Sequence, residues 1–200
     1  MNTVSTETRK YELKARAESQ RETRDRIARA TAELHEEKGV AQTTVAEIAR
    51  RAEVTRLTVY NHFPALSDLL PACSAHYMAL HPFPDLDGVF EIDDPGERVR
   101  AGLARLYGWY RETEPMFGKL FSDRASVPEL DQFLQGDFDL LRAELADGLA
   151  AAFKARGRRA ERLNALIRLA VDFWTWHRLS REGLDDAAAA DLMAAAVASV

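Results

Sequence analysis

The chain has 200 residues, of which 46% are hydrophobic and 30% charged, an ordinary globular composition with enough length for one large core or two small ones. A net charge of −5 excludes a general attraction to nucleic acid, and one cysteine, Cys73, excludes an internal disulfide framework and suits a reducing cytoplasm. The average conceals an asymmetry: residues 1–64 hold 12 Lys and Arg against 10 Asp and Glu, net +2, whereas residues 65–200 hold 15 against 22, net −7. An N-terminal part that meets a polyanion and a C-terminal part that does not would be charged in this way. The opening "MNTVSTETRKYELKARAE" has no apolar core and does not read as a secretory signal. The most apolar tail, "AAAADLMAAAVASV", falls short of the ~20 residues that span a bilayer and is interrupted by Asp191, so a cytoplasmic protein without a membrane partner is expected.

Strand-like alternation is almost absent, and the chain reads as all-α. A long charged helical stretch is expected over about 7–38, its first half either helix or mobile arm and its second half with an apolar side of Ile27, Ala30, Thr31 and Leu34, with Gly39 as its stop. Thr43 or Thr44 offers an N-cap, with Glu47 three residues after Thr44 as a capping box, for a short second helix that buries Val45, Ile48, Ala49 and Ala52. Thr55 caps a third, which buries Val54, Val59 and Phe63, and Pro64 ends it. A fourth helix carries Leu66, Leu69, Leu70, Cys73 and Tyr77 and stops at "HPFPD". Residues 85–97 read as a loop. A helix with Val99, Leu103, Leu106, Tyr107 and Tyr110 follows, and Pro115 opens a separate short segment. Pro128 opens a long helix to about Arg156, and further helices are expected over about 159–182 and 185–199.

Two short helices joined by the brief turn "AEV" form a helix-turn-helix pattern. In that motif the second helix enters the major groove and its side chains reach base edges. If Ile48, Val54, Val59 and Phe63 fix the pair, then Arg56, Leu57, Thr58, Tyr60, Asn61 and His62 point outward. Arg pairs with guanine O6 and N7 and Asn with adenine N6 and N7, while Tyr60, His62 and Thr44 can donate to phosphates.

The stretch "TTVAEIARRAEVTRLTVYNHFPALSDLL", extended back through "RIARATAELHEEKG", resembles the TetR family of transcriptional regulators over about residues 20–72. The resemblance implies a three-helix DNA-binding domain over 20–64, behind an N-terminal extension over 1–19. It also implies a helical ligand-binding and dimerisation domain over 65–200. Such proteins read palindromic double-stranded operators as homodimers, usually as repressors released by a small-molecule effector. Carried onto this chain, Arg56, Leu57, Thr58 and Asn61 would face bases, and Thr44, Tyr60 and His62 would hold phosphates. Two positions depart from the family. Glu53 stands where the turn usually has Gly, which implies strain of order ~1 kcal/mol if that residue takes a positive φ. Leu66 stands where a phosphate-binding Lys is usual. The basic residues Arg9, Lys10, Lys14 and Arg16 are either a solvated helix face or an arm that replaces that contact.

In the C-terminal part, Tyr107, Tyr110, Met116, Phe117, Phe121, Phe133, Phe138 and Trp174 are either plain core or the lining of an aromatic cavity, with His177 to orient a ligand. Arg168 and Asp172, four apart, can pair on one helix. The run Leu166–Trp176 is apolar on nearly all sides, and a helix apolar all round must be buried all round. Together with the alanine-rich last helix it suggests a four-helix interface under a two-fold axis, through Leu169, Phe173, Trp176, Leu192 and Val197. Cys73 and His76 share a helix face and offer the alternative of a metal sensor, against a buried structural thiol, and no metal site is expected. No glycine-rich phosphate loop, nucleophile elbow or zinc-protease helix is present, so no catalytic residue and no cofactor are expected. An enzyme or carrier with an incidental helix pair, and a regulator that answers to another protein, are the remaining alternatives.

Overall fold

The computed structural model describes residues 3–200, with the side chains of Tyr11 and of Leu13 onward. Arg9 and Lys10 of the expected basic arm therefore have side chains outside the described residues. Among the described residues all regular structure is helical: α1 (Thr3–Lys38), α2 (Val45–Arg51), α3 (Arg56–His62), α4 (Leu66–Leu80), α5 (Asp87–Phe90), α6 (Pro95–Asp123), α7 (Pro128–Gly136), α8 (Phe138–Ala151), α9 (Gly157–Ala170), α10 (Phe173–Arg181) and α11 (Asp186–Ala198). An N-terminal helix-turn-helix module is followed by a helical C-terminal part, the expected all-α architecture. No helix of the described residues is long and apolar enough to cross a membrane.

The helices gather into two compact units. One takes the described residues of Met1–Leu80 together with Gly118–Leu130, and the other takes His81–Phe117 with Asp131–Val200. This packing division falls beyond α4. In the first unit the C-terminal half of α1 buries Ile27, Ala30 and Leu34 against Ile48, Ala49 and Ala52 of the α2 segment, Val59 and Phe63 of the α3 segment, and Leu69 of α4. Gly39 ends α1 at φ +87°, a region closed to most side chains, and a Cβ there would come within 2.4 Å of Asp123 Oδ2. That same carboxylate accepts the Ala41 N–H at 3.0 Å and so fixes the α1–α2 turn.

Three boundaries differ from the expectation. Pro115 does not open a segment but lies inside a continuous α6. It sits on the exposed side, so the helix carbonyl it leaves without an N–H is that of exposed Arg111, while buried Tyr110, Thr113, Met116 and Phe117 carry the other side through. The helix expected from Pro128 to Arg156 breaks at Asp137 (φ −112°, ψ −69°) and ends at Ala151. Buried Leu130, Leu134 and Phe138 step by four through the break, so the apolar period does not announce it, and Gly136 stands just before it. The expected 159–182 helix divides into α9 and α10 because Asp172 leaves the helix and caps α10, its side chain accepting the Trp174 N–H. Within residues 85–97, expected as loop, α5 forms one short turn that buries Val89.

Candidate nucleic-acid interface

The α2–α3 pair is held by local chemistry that the sequence dictates. Thr44 caps α2 in a complete capping box with Glu47, and Thr55 caps α3 by accepting the Thr58 N–H. Lys38 reaches Glu47 at 2.5 Å, and this ammonium, with the Thr44 donors, holds the Glu47 carboxyl down at about 2. Arg51 grips Glu37 of α1 through two hydrogen bonds of 2.8 and 2.9 Å and so ties α2 to α1. In the turn, Glu53 takes φ +55°, the left-handed region that its place in the turn implied. A residue with a Cβ stores about 1 kcal/mol there.

From this frame α3 buries only Val59 and turns its other residues outward. Arg56, Leu57, Tyr60 and Asn61 are exposed, Leu57 at 69% and Tyr60 at 51%, and Thr58 and His62 are half-buried. The helix carries no carboxylate, and its exposed leucine and tyrosine offer an apolar side chain and a hydroxyl donor of the kinds that meet a thymine methyl and a phosphate. The Thr58 hydroxyl lies 2.8 Å from that of Thr55, so it belongs as much to the cap as to the outward face. Thr44 is exposed at the start of α2, its hydroxyl 2.7 Å from Glu47 Oε2.

One functional residue escaped the sequence reading. Arg24 of α1 donates through Nη1 to the His62 carbonyl at 2.7 Å and lays its guanidinium 4.0 Å above the Phe63 ring. It thereby satisfies an orphan carbonyl at the C-terminus of α3 and adds a cation–π contact. The two partners stand 38 residues apart, and no local pattern joins them.

The residues expected around a ligand are distributed otherwise. Tyr107 and Tyr110 are wholly buried, and their hydroxyls donate to the carbonyls of Ala170 and Val171, both at 2.7 Å. Burial pushes both phenols far above their ordinary range. Phe117 and Phe138 pack with Trp109 at ring separations of 4.9 and 6.2 Å, and all three are buried. Trp174 is 43% exposed, and Phe121 falls in the first unit. His177 stands 3.4 Å from Glu114 and stacks on Phe173. Asp172 pairs with Arg142, and Arg168 with Asp147, so the expected Arg168–Asp172 pair is absent. Of the residues assigned to an interface, Phe173 and Trp176 of α10 and Val197 of α11 are buried within their own chain, whereas Leu169 and Leu192 are 53% and 49% exposed.

The Cys73 thiol donates to the Leu70 carbonyl at 3.2 Å and lies 3.8 Å from His35 Nδ1, and His76 is half-buried on the same helix. Among the described residues no group of three or more His, Cys, Asp or Glu side chains could hold a metal ion. Burial raises the Cys73 thiol to about 12 and lowers His35 to about 4, against a smaller opposing pull from Asp123. Burial thus keeps both groups uncharged at neutral pH.

Residues 27–73 match the model of the family described as bacterial regulatory proteins, tetR family. A transcriptional regulator from Rhodococcus sp. Rha1 shares the fold, with a TM-score of 0.58 and 19% identity over 88% of this chain and 96% of its own. A TetR transcription regulator from Haloarcula marismortui aligns with a TM-score of 0.55 and 16% identity over 88% of this chain and 95% of its own. No curated protein matches the chain.

Proposed function

We propose that this chain, a member of the tetR family of bacterial regulatory proteins and so a DNA-binding transcriptional regulator, occupies a palindromic operator as a homodimer and represses until a small apolar or aromatic molecule releases it. The observation that carries the DNA-binding part is the outward face of α3, with Arg56, Leu57, Tyr60 and Asn61 exposed on a helix locked by the Thr55 cap, the Val59 and Phe63 core and Arg24. Exposed donors and one apolar side chain on a rigid, acid-free helix are what base readout needs. We assign dimerisation to α9, α10 and α11, which carry Leu169, Trp174 and Leu192, three of the exposed large apolar side chains of the second unit. Repression and effector release rest on the family resemblance and on the aromatic content of the second unit. Effector binding would shift the population toward dimers whose α3 helices are wrongly spaced for successive major grooves.

Selection of bound duplexes from a random pool tests the reading, and a palindromic consensus is expected. On that consensus Arg56→Ala should cost about 1–3 kcal/mol and relax specificity at one base pair per half-site. Tyr60→Phe should weaken consensus and scrambled duplexes alike, since a phosphate contact carries no base information. If Tyr60→Phe shifted the consensus while Arg56→Ala left it intact, the two roles would be exchanged.

A further inference from the structure

The first two-thirds of α1 raise a question that the helix-turn-helix core does not answer. From Tyr11 to Glu22 every described side chain is exposed, and a polar helix with no face to bury gains nothing from packing on its own chain. Its charges are nonetheless sorted. Lys14, Ala17, Arg21 and Arg24 follow at spacings of three, four and three, which places them on one face, while Glu18, Glu22 and Asp25 fall to one side of it.

That face meets the recognition helix. Gln20, Arg21 and Arg24 of α1 and Thr58, Asn61 and His62 of α3 line one open groove of about 510 Å³, with Ala17 as its small-residue floor. Each of the six polar side chains has N–H or O–H donors, and no carboxylate lines the groove. Arg24 already spends one donor on the His62 carbonyl, which orders the wall without neutralising its charge. An open, carboxylate-free channel with two guanidiniums, continuous with a face that reads bases, is complementary to a polyanion.

From this juxtaposition we infer that the exposed part of α1 is a second grip on DNA. The α1–α3 groove seats the sugar-phosphate backbone flanking the bases that α3 reads, with Arg21 on a phosphate and Lys14, two turns further out on the same face, on a neighbouring one. This rests on the DNA-binding reading above and adds a contact outside the helix-turn-helix. Such a contact is blind to sequence, so it contributes affinity and salt dependence and leaves specificity unchanged.

The test uses the full chain and the selected consensus duplex beside a scrambled one, with dissociation constants measured across a salt series. Arg21→Ala is expected to reduce the slope of log K against log salt by about 1, and Arg21→Ala with Lys14→Ala by about 2. One lost contact makes the affinity loss between about 50 and 200 mM salt roughly threefold smaller. Both duplexes should weaken by the same factor. Arg26→Ala removes an equal charge from an exposed position about 140° round the helix from Arg21 and should leave the slope within about 0.3 of wild type. All three positions are exposed, and circular dichroism at the assay temperature confirms that each variant is folded. A slope for Arg21→Ala equal to that of Arg26→Ala, with the intact chain still selecting a consensus, overturns the groove and leaves the DNA-binding reading standing. An intact chain that selects no duplex overturns both.

Discussion

Lowering the pH from 6.5 to 4 should remove about 3 kcal/mol of stability from the DNA-binding unit through one side chain, His35. This imidazole is 2% exposed and packs against the Cys73 thiol, and its burial lowers its pKa from 6.5 to about 4. The folded state therefore keeps it neutral while the unfolded chain takes up a proton below pH 6.5. Because the unfolded state binds more protons in that window, stability falls as pH falls, by about 1.36 kcal/mol per unit, and levels off once the folded state also titrates. Glu47 acts in the same direction but lower, since its contribution is complete above 4.5 and is lost between 4.5 and about 2. Urea midpoints of the wild type and of His35→Phe between pH 7 and 4 separate the two. The variant should lose the slope between 6.5 and 4.5, whatever its stability at pH 7. A slope that survives the substitution belongs to another group, and the burial argument for His35 then fails.

Tyr110→Ala is the second large effect, a loss of about 3–5 kcal/mol from the second unit, with Tyr110→Phe costing about 1–3 kcal/mol. The ring is wholly buried between Phe173 at 5.3 Å and Trp176 at 5.7 Å, so truncation opens a cavity. The hydroxyl donates to the Val171 carbonyl at the point where α9 ends, and a helix C-terminus leaves such carbonyls without intrahelical partners. Phenylalanine keeps the volume and strands the carbonyl, which fixes the order of the two losses. Urea unfolding followed by tryptophan emission measures both, because Trp109 and Trp176 lie against the ring. A loss below about 1 kcal/mol for alanine would mean that the ring borders a hollow, as an effector pocket at Tyr110 requires.

The outward face of α3 was legible because its determinants are local. Thr44 with Glu47 and Thr55 announce two helix starts, and the spacing of Val59 and Phe63 leaves Arg56, Tyr60 and Asn61 on the other side. Even the departure at Glu53 was readable, since the turn demands a positive φ whichever residue occupies it. The second unit was less legible, because its decisive contacts are long-range. Nothing near Asp172 says that it will leave a helix in an apolar run. The reasons are Arg142, thirty residues earlier, and the hydroxyls of Tyr107 and Tyr110, more than sixty away from the carbonyls they reach. The same break turns Phe173 and Trp176 into their own chain, which a periodicity of apolar residues alone does not distinguish from an interface. Arg24 was missed for the same reason.

Cys73 gives the molecule a built-in clock. The thiol is the only one in the chain, it is 5% exposed, and burial raises it to about 12, so at neutral pH a thiol reagent meets almost no thiolate in the closed state. Labelling then proceeds only through openings of the first unit, at a rate set by their population. The three tryptophans, Trp109, Trp174 and Trp176, all lie in the second unit, and their emission keeps separate time there. Equal opening free energies from the two signals would mean that the units melt as one. Faster labelling would mean that the DNA-binding unit breathes on its own, and operator DNA should then slow the thiol and leave the tryptophans unchanged.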